Sequence, residues 1–247
     1  MVQLIGTLAL ETSTDVGSVA VLDDADRVIG SRSWQREKSH SEFLTAALLA
    51  CLTDAQLQPS ELSQIAVDVG PGSFTGIRVA VNAARTLGFS LNKPLHVFNS
   101  LEVIAYGAQE VASQLALPIL VLLSAQKNRL YMSQFELSSQ QLVTLQGPSV
   151  VSFENVSTLL GQRPWLCVGP GYDEGFSSWN DKTCAQLHRS DKVSDTPSAI
   201  NLAKMSVRRG EHDKMFWPQV QPLYLRPSEP EEKLRAGLLI DRSKLNE

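Results

Sequence analysis

Cysteine, histidine and positive charge are all scarce in this chain, and each shortage removes a class of function. The three cysteines, Cys51, Cys167 and Cys184, are far apart and odd in number. That is neither a disulfide framework nor a zinc pattern, and it fits a reducing cytosol. The four histidines, His40, His96, His188 and His212, include no pair at the i, i+4 spacing that sets two metal ligands on one helical face. A net charge of −4 leaves no electrostatic footprint for gripping a nucleic-acid backbone unaided. No basic segment with a long apolar run opens the sequence, and no stretch approaches the roughly 20 apolar residues of a membrane span. No nucleophile elbow is present, and no cysteine lies near a candidate base in sequence, so nucleophilic catalysis has no local support. A cytoplasmic protein without membrane contact is expected.

What remains is an ordinary globular composition, 43% hydrophobic and 19% charged over 247 residues, enough for one large domain or two small ones. Its most informative stretch is Val67-Asp68-Val69-Gly70-Pro71-Gly72-Ser73-Phe74-Thr75-Gly76-Ile77-Arg78. It predicts a buried strand, a glycine-rich corner and the first turn of a helix. Glycines permit backbone angles and close approaches that a Cβ blocks, and Ser73 and Thr75 are good helix caps. Such a corner can hold a phosphate at the helix N-terminus or be a strand-to-helix turn with nothing bound, and both readings stay open. The residues offered to a phosphate or nucleotide would be Thr12, Ser13, Gly70, Gly72, Ser73 and Arg78.

In chain order the plan occurs twice. Three strands (residues 4–10, 18–22 and 27–34) are followed by a helix over 41–55, a strand over 65–69, the glycine corner with a helix over 76–91, a strand over 95–98 and a helix over 101–117. Strands over 119–123, 130–135 and 142–151, a short helix over 154–160 and a strand over 165–168 then repeat the order. Val-Gly-Pro-Gly recurs at Val69–Gly72 and Val168–Gly171, each time after a fourth strand. The expected fold is therefore α/β, a duplicated actin-like (ribonuclease H-like, sugar-kinase type) arrangement with two lobes around a cleft. Lobe boundaries are expected at 1–100 and 101–226, with residues 227–247 as a solvated, mobile tail.

Two features bear on activity. The first hairpin carries Glu11, Thr12, Ser13, Thr14, Asp15 and Gly17, while its second-lobe counterpart, Ser124 to Arg129, has neither carboxylate nor glycine. A self-sufficient ATPase or kinase of this class needs both jaws, so the bare second hairpin opposes that reading. Second, Gly76, Ala80, Ala84 and Gly88 form a stripe of minimal side chains with apolar Ile77, Val81 and Leu87 beside it. The stripe suits close packing, either inside the lobe or against a second chain. On the second-chain reading, replacing Ala80 or Ala84 with Leu or Arg would abolish pairing without unfolding the monomer. His40-Ser41-Glu42 reads more simply as a helix cap than as half of a metal site.

Taken together, Val69 to Arg78, Leu10-Glu11-Thr12-Ser13, His40 to Leu44 and Pro222-Leu223-Tyr224-Leu225-Arg226 resemble the TsaB (YeaZ) family over nearly the whole chain. The resemblance implies a non-catalytic subunit of tRNA threonylcarbamoyladenosine formation, paired with the catalytic homologue TsaD and joined by the ATPase TsaE. It implies no intrinsic metal, cofactor or catalytic residue, with ATP or ADP bound by the complex and tRNA reached only through it. It also implies a pairing surface on the first-lobe helices, here Phe43, Leu44, Ala47, Leu48, Ser73, Gly76, Ile77, Ala80, Ala84, Leu87 and Gly88, which would serve a homodimer when the partner is absent. Ser124-Ala125-Gln126 departs from the family's frequent Asp-Ala-Arg.

Overall fold

The computed structural model describes residues 6–37, 39–209 and 213–227. Strands β1 (Gly6–Glu11), β2 (Val16–Leu22) and β3 (Val28–Gln35) form an antiparallel meander. Helix α1 (Ser41–Asp54), strand β4 (Leu62–Asp68), helix α2 (Phe74–Leu91) and strand β5 (Leu95–Phe98) follow. β4 pairs parallel to β1 and β5 parallel to β4, giving the sheet order β3-β2-β1-β4-β5. Helix α3 (Ser100–Leu115) leads into the second set: β6 (Ile119–Ser124), β7 (Arg129–Ser138) and β8 (Gln141–Ser152), then α4 (Val156–Leu159) and β9 (Trp165–Val168). Short helices α5 (Gly171–Gly175) and α6 (Asp181–Gln186) and the two-residue β10 (Leu187–His188) complete it. The second sheet runs β8-β7-β6-β9-β10, the same order element for element. The architecture is the duplicated actin-like fold that the sequence implied.

The first sheet is buried on both faces, which is why β1, β2 and β4 read as nearly continuous apolar runs. Leu8, Leu10, Val19, Val21, Ile65 and Val67 meet α1 and α2 on one face. Their alternate neighbours Ala9, Ala20 and Ala66 face a different cluster, which includes Val103 of α3 and Leu202 and Ala203 of α7 (Ala199–Arg208). Helix α7 thus packs on the first sheet although it follows the second in sequence. Its Ser206 hydroxyl sits 2.7 Å from Nδ1 of His96 and accepts from Gln64 at 3.2 Å, a buried polar tie to that sheet.

Residues 213–227 also return to the first lobe. Met215 bridges to Leu95, Val220 is buried in the first core, and the Leu223 amide donates to the Val69 carbonyl at 2.8 Å. So α7, Met215, Val220 and Leu223 lie against the first lobe, within the 101–226 span that the element order gave to the second, while Leu225 packs on the second core. An apolar helix and strap can cover whichever sheet face is open, and their place in the sequence does not say which. The expected mobile tail beyond Pro227 lies outside the described residues, as do Leu4, Ile5 and His212.

Candidate functional site

The glycine corner is closed against the first hairpin. A Cβ on Gly72 would lie 2.2 Å from the Ser13 carbonyl oxygen, and one on Gly76 would lie 2.1 Å from that of Thr12. Both contacts are to backbone, so only glycine fits. The Ser73 amide donates to the Ser13 carbonyl at 2.7 Å, and Ser73 Oγ caps α2 by accepting from the Gly76 amide at 3.3 Å. Thr12 Oγ1 donates to the Gly76 carbonyl at 2.7 Å and accepts from the Ala80 amide at 3.2 Å. The Gly70 amide, with φ +98°, donates to Asp68 Oδ1 at 2.7 Å.

These bonds commit the Thr12 hydroxyl, the Gly70 amide and the Ser73 amide and hydroxyl to holding hairpin, corner and helix together. Of the six candidates, Ser13, Gly72, Ser73 and Arg78 line the space between the lobes.

Behind the corner lies a buried carboxyl pair. Glu11 and Asp68 are fully buried, and Ser13 Oγ lies 2.6 Å from Glu11 Oε1 and 3.0 Å from Asp68 Oδ2. Asp68 Oδ1 also accepts from Ser100 Oγ at 2.9 Å. Burial, and then the Asp68 charge, push the Glu11 carboxyl well above the usual carboxylate range; burial lifts Asp68 to about 6. No N–H or O–H among the described residues reaches Glu11 Oε2. The two carboxyls are hydrogen-bonded to each other, so a protonated Glu11 donates to Asp68 and the two share a proton.

His40 is equally committed. Its Nδ1 accepts from Trp34 Nε1 at 3.1 Å, which fixes the tautomer, so that Nε2 donates to the Thr14 carbonyl at 2.7 Å. Burial holds its pKa below the ordinary histidine value. The ring pins the first hairpin to the start of α1. Among the described residues no group of three or more His, Cys, Asp or Glu side chains could hold a metal ion.

The cleft between the lobes has a volume of about 1010 Å³. Ser73, Arg36 and Arg78 line its first-lobe wall, and the β6–β7 turn brings Gln126 and Lys127 to the opposite wall. Arg36 donates to Ser73 Oγ at 3.1 Å and pairs with Asp15. Leu223 packs in the first core and Leu225 against the second, so the strap between them crosses from lobe to lobe. Tyr224 stacks on Phe74 with ring centroids 4.6 Å apart, Arg78 donates to its hydroxyl at 2.8 Å, and Arg226 donates to the Gln126 carbonyl at 3.3 Å. Sequence reasoning named Arg78 for this space but missed Arg36 and Lys127. Their only signal was a position at the end of a strand or in a hairpin turn.

The small-residue stripe lies inside the lobe. Gly76, Ile77, Ala80, Ala84 and Gly88 are buried, and a Cβ on Gly88 would meet Leu95 at 2.5 Å. Ile77, Ala80 and Ala84, with buried Leu44, belong to the first core, and the two glycines are buried beside them, so none of the six is open to a second chain. Large residues at Ala80 or Ala84, each 0% exposed, would disrupt the lobe rather than test pairing. The apolar residues that keep some exposure are a different set: Phe43 and Leu49 of α1 are exposed, while Ala47 and Leu48 of α1 and Val79, Ala83 and Leu87 of α2 are half-buried against the first core. Four residues of the expected surface, Phe43, Ala47, Leu48 and Leu87, fall in it.

The model of the family TsaD, tRNA N6-adenosine threonylcarbamoyltransferase, matches residues 34–166, more than half of the chain. The tRNA threonylcarbamoyladenosine biosynthesis protein TsaB of Bacillus subtilis is 39% identical over 98 residues, 40% of this chain and 42% of the relative. Its counterpart in Buchnera aphidicola is 28% identical over 168 residues, 67% of this chain and 78% of the relative. Across the first curated relatives the chain spans 42% to 61% of the relative's own length. A crystallised Pseudomonas aeruginosa protein, described as uncharacterized with similarity to peptidase YEAZ, superposes with a TM-score of 0.75 at 25% identity. That match covers 90% of this chain and 100% of the other. The chain belongs to the TsaD family of tRNA N6-adenosine threonylcarbamoyltransferase proteins, as a TsaB (YeaZ)-type member.

Proposed function

We propose that this chain is a non-catalytic subunit in threonylcarbamoyl transfer to N6 of the adenosine beside the tRNA anticodon, acting by docking the homologous catalytic subunit TsaD. The observation that carries the reading is the outer apolar face of α1 and α2. The two helices cover one face of the first sheet and leave Phe43 and Leu49 exposed, with Ala47, Leu48, Val79, Ala83 and Leu87 half-buried where they pack on the first core. Apolar side chains left open on a helix suit an interaction site, and a helix offers ridges for a partner helix to pack against. The groups that could perform chemistry support a scaffold role, since Glu11, Asp68 and His40 are committed to internal bonds. ATP turnover belongs in this reading to the ATPase subunit TsaE, and tRNA is reached through the complex. A second copy of the chain takes the same face when the partner is absent.

Size-exclusion chromatography with light scattering, on the chain alone and mixed with TsaD, tests the reading. One copy of each is expected to associate at the expense of any homodimer. Leu49→Arg, at an exposed position on α1, is expected to remove both associations while the monomer melts as the wild type does. No complex under any condition, with nucleotide hydrolysis by the chain alone, would overturn the reading in favour of an independent ATPase or kinase.

A further inference from the structure

We propose that residues 220–226 form a latch: the strap holds the two lobes at one angle, and withdrawal of Leu225 from the second core frees them to swing apart. The inference concerns the chain's own conformation and is independent of what docks at α1 and α2.

It starts from how far two residues can reach. Leu223 packs on the first core and Leu225 on the second. Residues two apart in a chain are separated by about 7 Å at most. Two separate hydrophobic cores are therefore stapled together over the length of one dipeptide. Lobes that part must draw one of the two leucines out of its core. A side chain is either seated in a close-packed core or out of it, so the staple has two discrete states instead of a graded stretch.

The two ends of the staple are anchored unequally. Toward the first lobe, Met215 and Leu95 exchange backbone bonds at 2.8 and 3.0 Å, Val220 is fully buried, and the Leu223 amide holds the Val69 carbonyl. Toward the second, Leu225 is half-buried, and Arg226 donates at 3.3 Å to the carbonyl of Gln126 in an exposed turn. Release therefore starts at Leu225 and leaves the strap on the first lobe. Between the anchors, the stack of Tyr224 on Phe74 and the bond from Arg78 to its hydroxyl come from the first two turns of α2. They fix the course of the chain beyond Leu223 and so aim Leu225 at the second core.

The lobes also have a place to pivot. Helix α3 packs on the second sheet, α7 packs on the first, and the two helices meet each other. A Cβ on Gly107 of α3 would lie 2.5 Å from Asn201 Nδ2 of α7. Packed helices of this kind are the surfaces over which domains shear. The strap sits at the cleft instead, where Leu223, Tyr224 and Arg226 line the wall. A seated latch makes the two lobes one rigid body; a released one lets the second lobe move against whatever holds the first.

Double electron–electron resonance on the full chain tests this. Spin labels are placed at Thr75→Cys on α2 and Arg129→Cys on β7, both exposed, in a Cys184→Ser background, with Cys51 and Cys167 buried. The wild-type strap is expected to give one narrow inter-lobe distance. Leu225→Ser is expected to shift the main distance to longer values, and Tyr224→Ala to add a longer-distance population beside the original one. Leu142→Ser removes an apolar side chain of β8 from the same second core and is expected to keep the wild-type distance. Tyr224 is exposed, so Tyr224→Ala keeps the test decisive if Leu225→Ser fails to fold. Wild-type distances in both strap variants would overturn the proposal. So would the same shift in Leu142→Ser, which would mean a loosened core and not a released latch.

Discussion

The two lobes each carry a Gly-Pro-Gly corner after the fourth strand, and they solve the same backbone problem with different chemistry. Gly70 and Gly169 adopt φ of +98° and +99°, and each donates its amide to a carboxylate at 2.7 Å. In the first lobe that carboxylate is Asp68, the last residue of β4, sealed beside Glu11 with the Gly70 amide and the Ser13 and Ser100 hydroxyls as its partners. In the second it is Asp195, from a loop beyond β10, held by the two terminal guanidinium nitrogens of Arg189. Helix α2 then runs 18 residues, whereas α5 runs five. The repeat preserved the turn and its anionic cap, while burial and helix length diverged. The long helix gives the first lobe both its outer apolar face and its end of the cleft. The second lobe keeps the corner as structure.

The sharpest way to break the parallel is to fill the corners. Gly72→Ala would press a Cβ to 2.2 Å from the Ser13 carbonyl oxygen, whereas at Gly171 the nearest atom is the Leu130 side chain at 2.8 Å, with Leu122 backbone at 2.9 Å. Gly72→Ala is expected to cost about 3 kcal/mol or more in chemical denaturation, and Gly171→Ala clearly less. Equal costs would mean that the first corner is no more tightly clamped than the second.

The carboxyl pair offers a test of intermediate size. Glu11 and Asp68 have folded pKa values raised above their unfolded ones, so their favourable contribution is full below the unfolded values, near 4, and is lost as pH rises through the folded values, about 6 for Asp68. Glu11→Gln imitates the protonated acid without titrating. It is expected to match the wild type near pH 5 and to exceed it by roughly 1–2 kcal/mol near pH 8, read from denaturant midpoints. A constant difference across that range would show that the pair shares no proton.

The smallest effect belongs to the second corner. The Arg189–Asp195 pair is about one-third exposed on each side chain, and such pairs contribute little once solvent screens them. Asp195→Asn keeps an oxygen for the Gly169 amide and is expected to lower stability by about 1 kcal/mol. A loss as large as that of Gly72→Ala would make the second corner as critical as the first.

Much of this was legible in the residues. Apolar runs, turn clusters and the repeated Val-Gly-Pro-Gly gave both sheets in order, because strand length, burial and turn chemistry are local properties. The end of the second lobe was illegible for the complementary reason. Tyr172 to Thr183 has no apolar period, since α5 and α6 are too short to need one and the fifth strand is two residues long. The site divided along the same line. Ser73 was legible as a cap, but nothing local shows that Thr12, 64 residues before Gly76, would use its hydroxyl on that helix.

By itself the sequence determined the duplicated architecture, the two glycine corners and the family. Tertiary structure alone decided which face of α2 is buried. The stripe Gly76, Ala80, Ala84 and Gly88 permits close approach to any surface, and the nearest was the chain's own sheet. It alone decided, too, that α7 and the strap return to the first lobe and that four cations from separate segments meet in one cleft. Contacts between residues far apart in sequence follow from packing, which leaves no periodic trace in the chain.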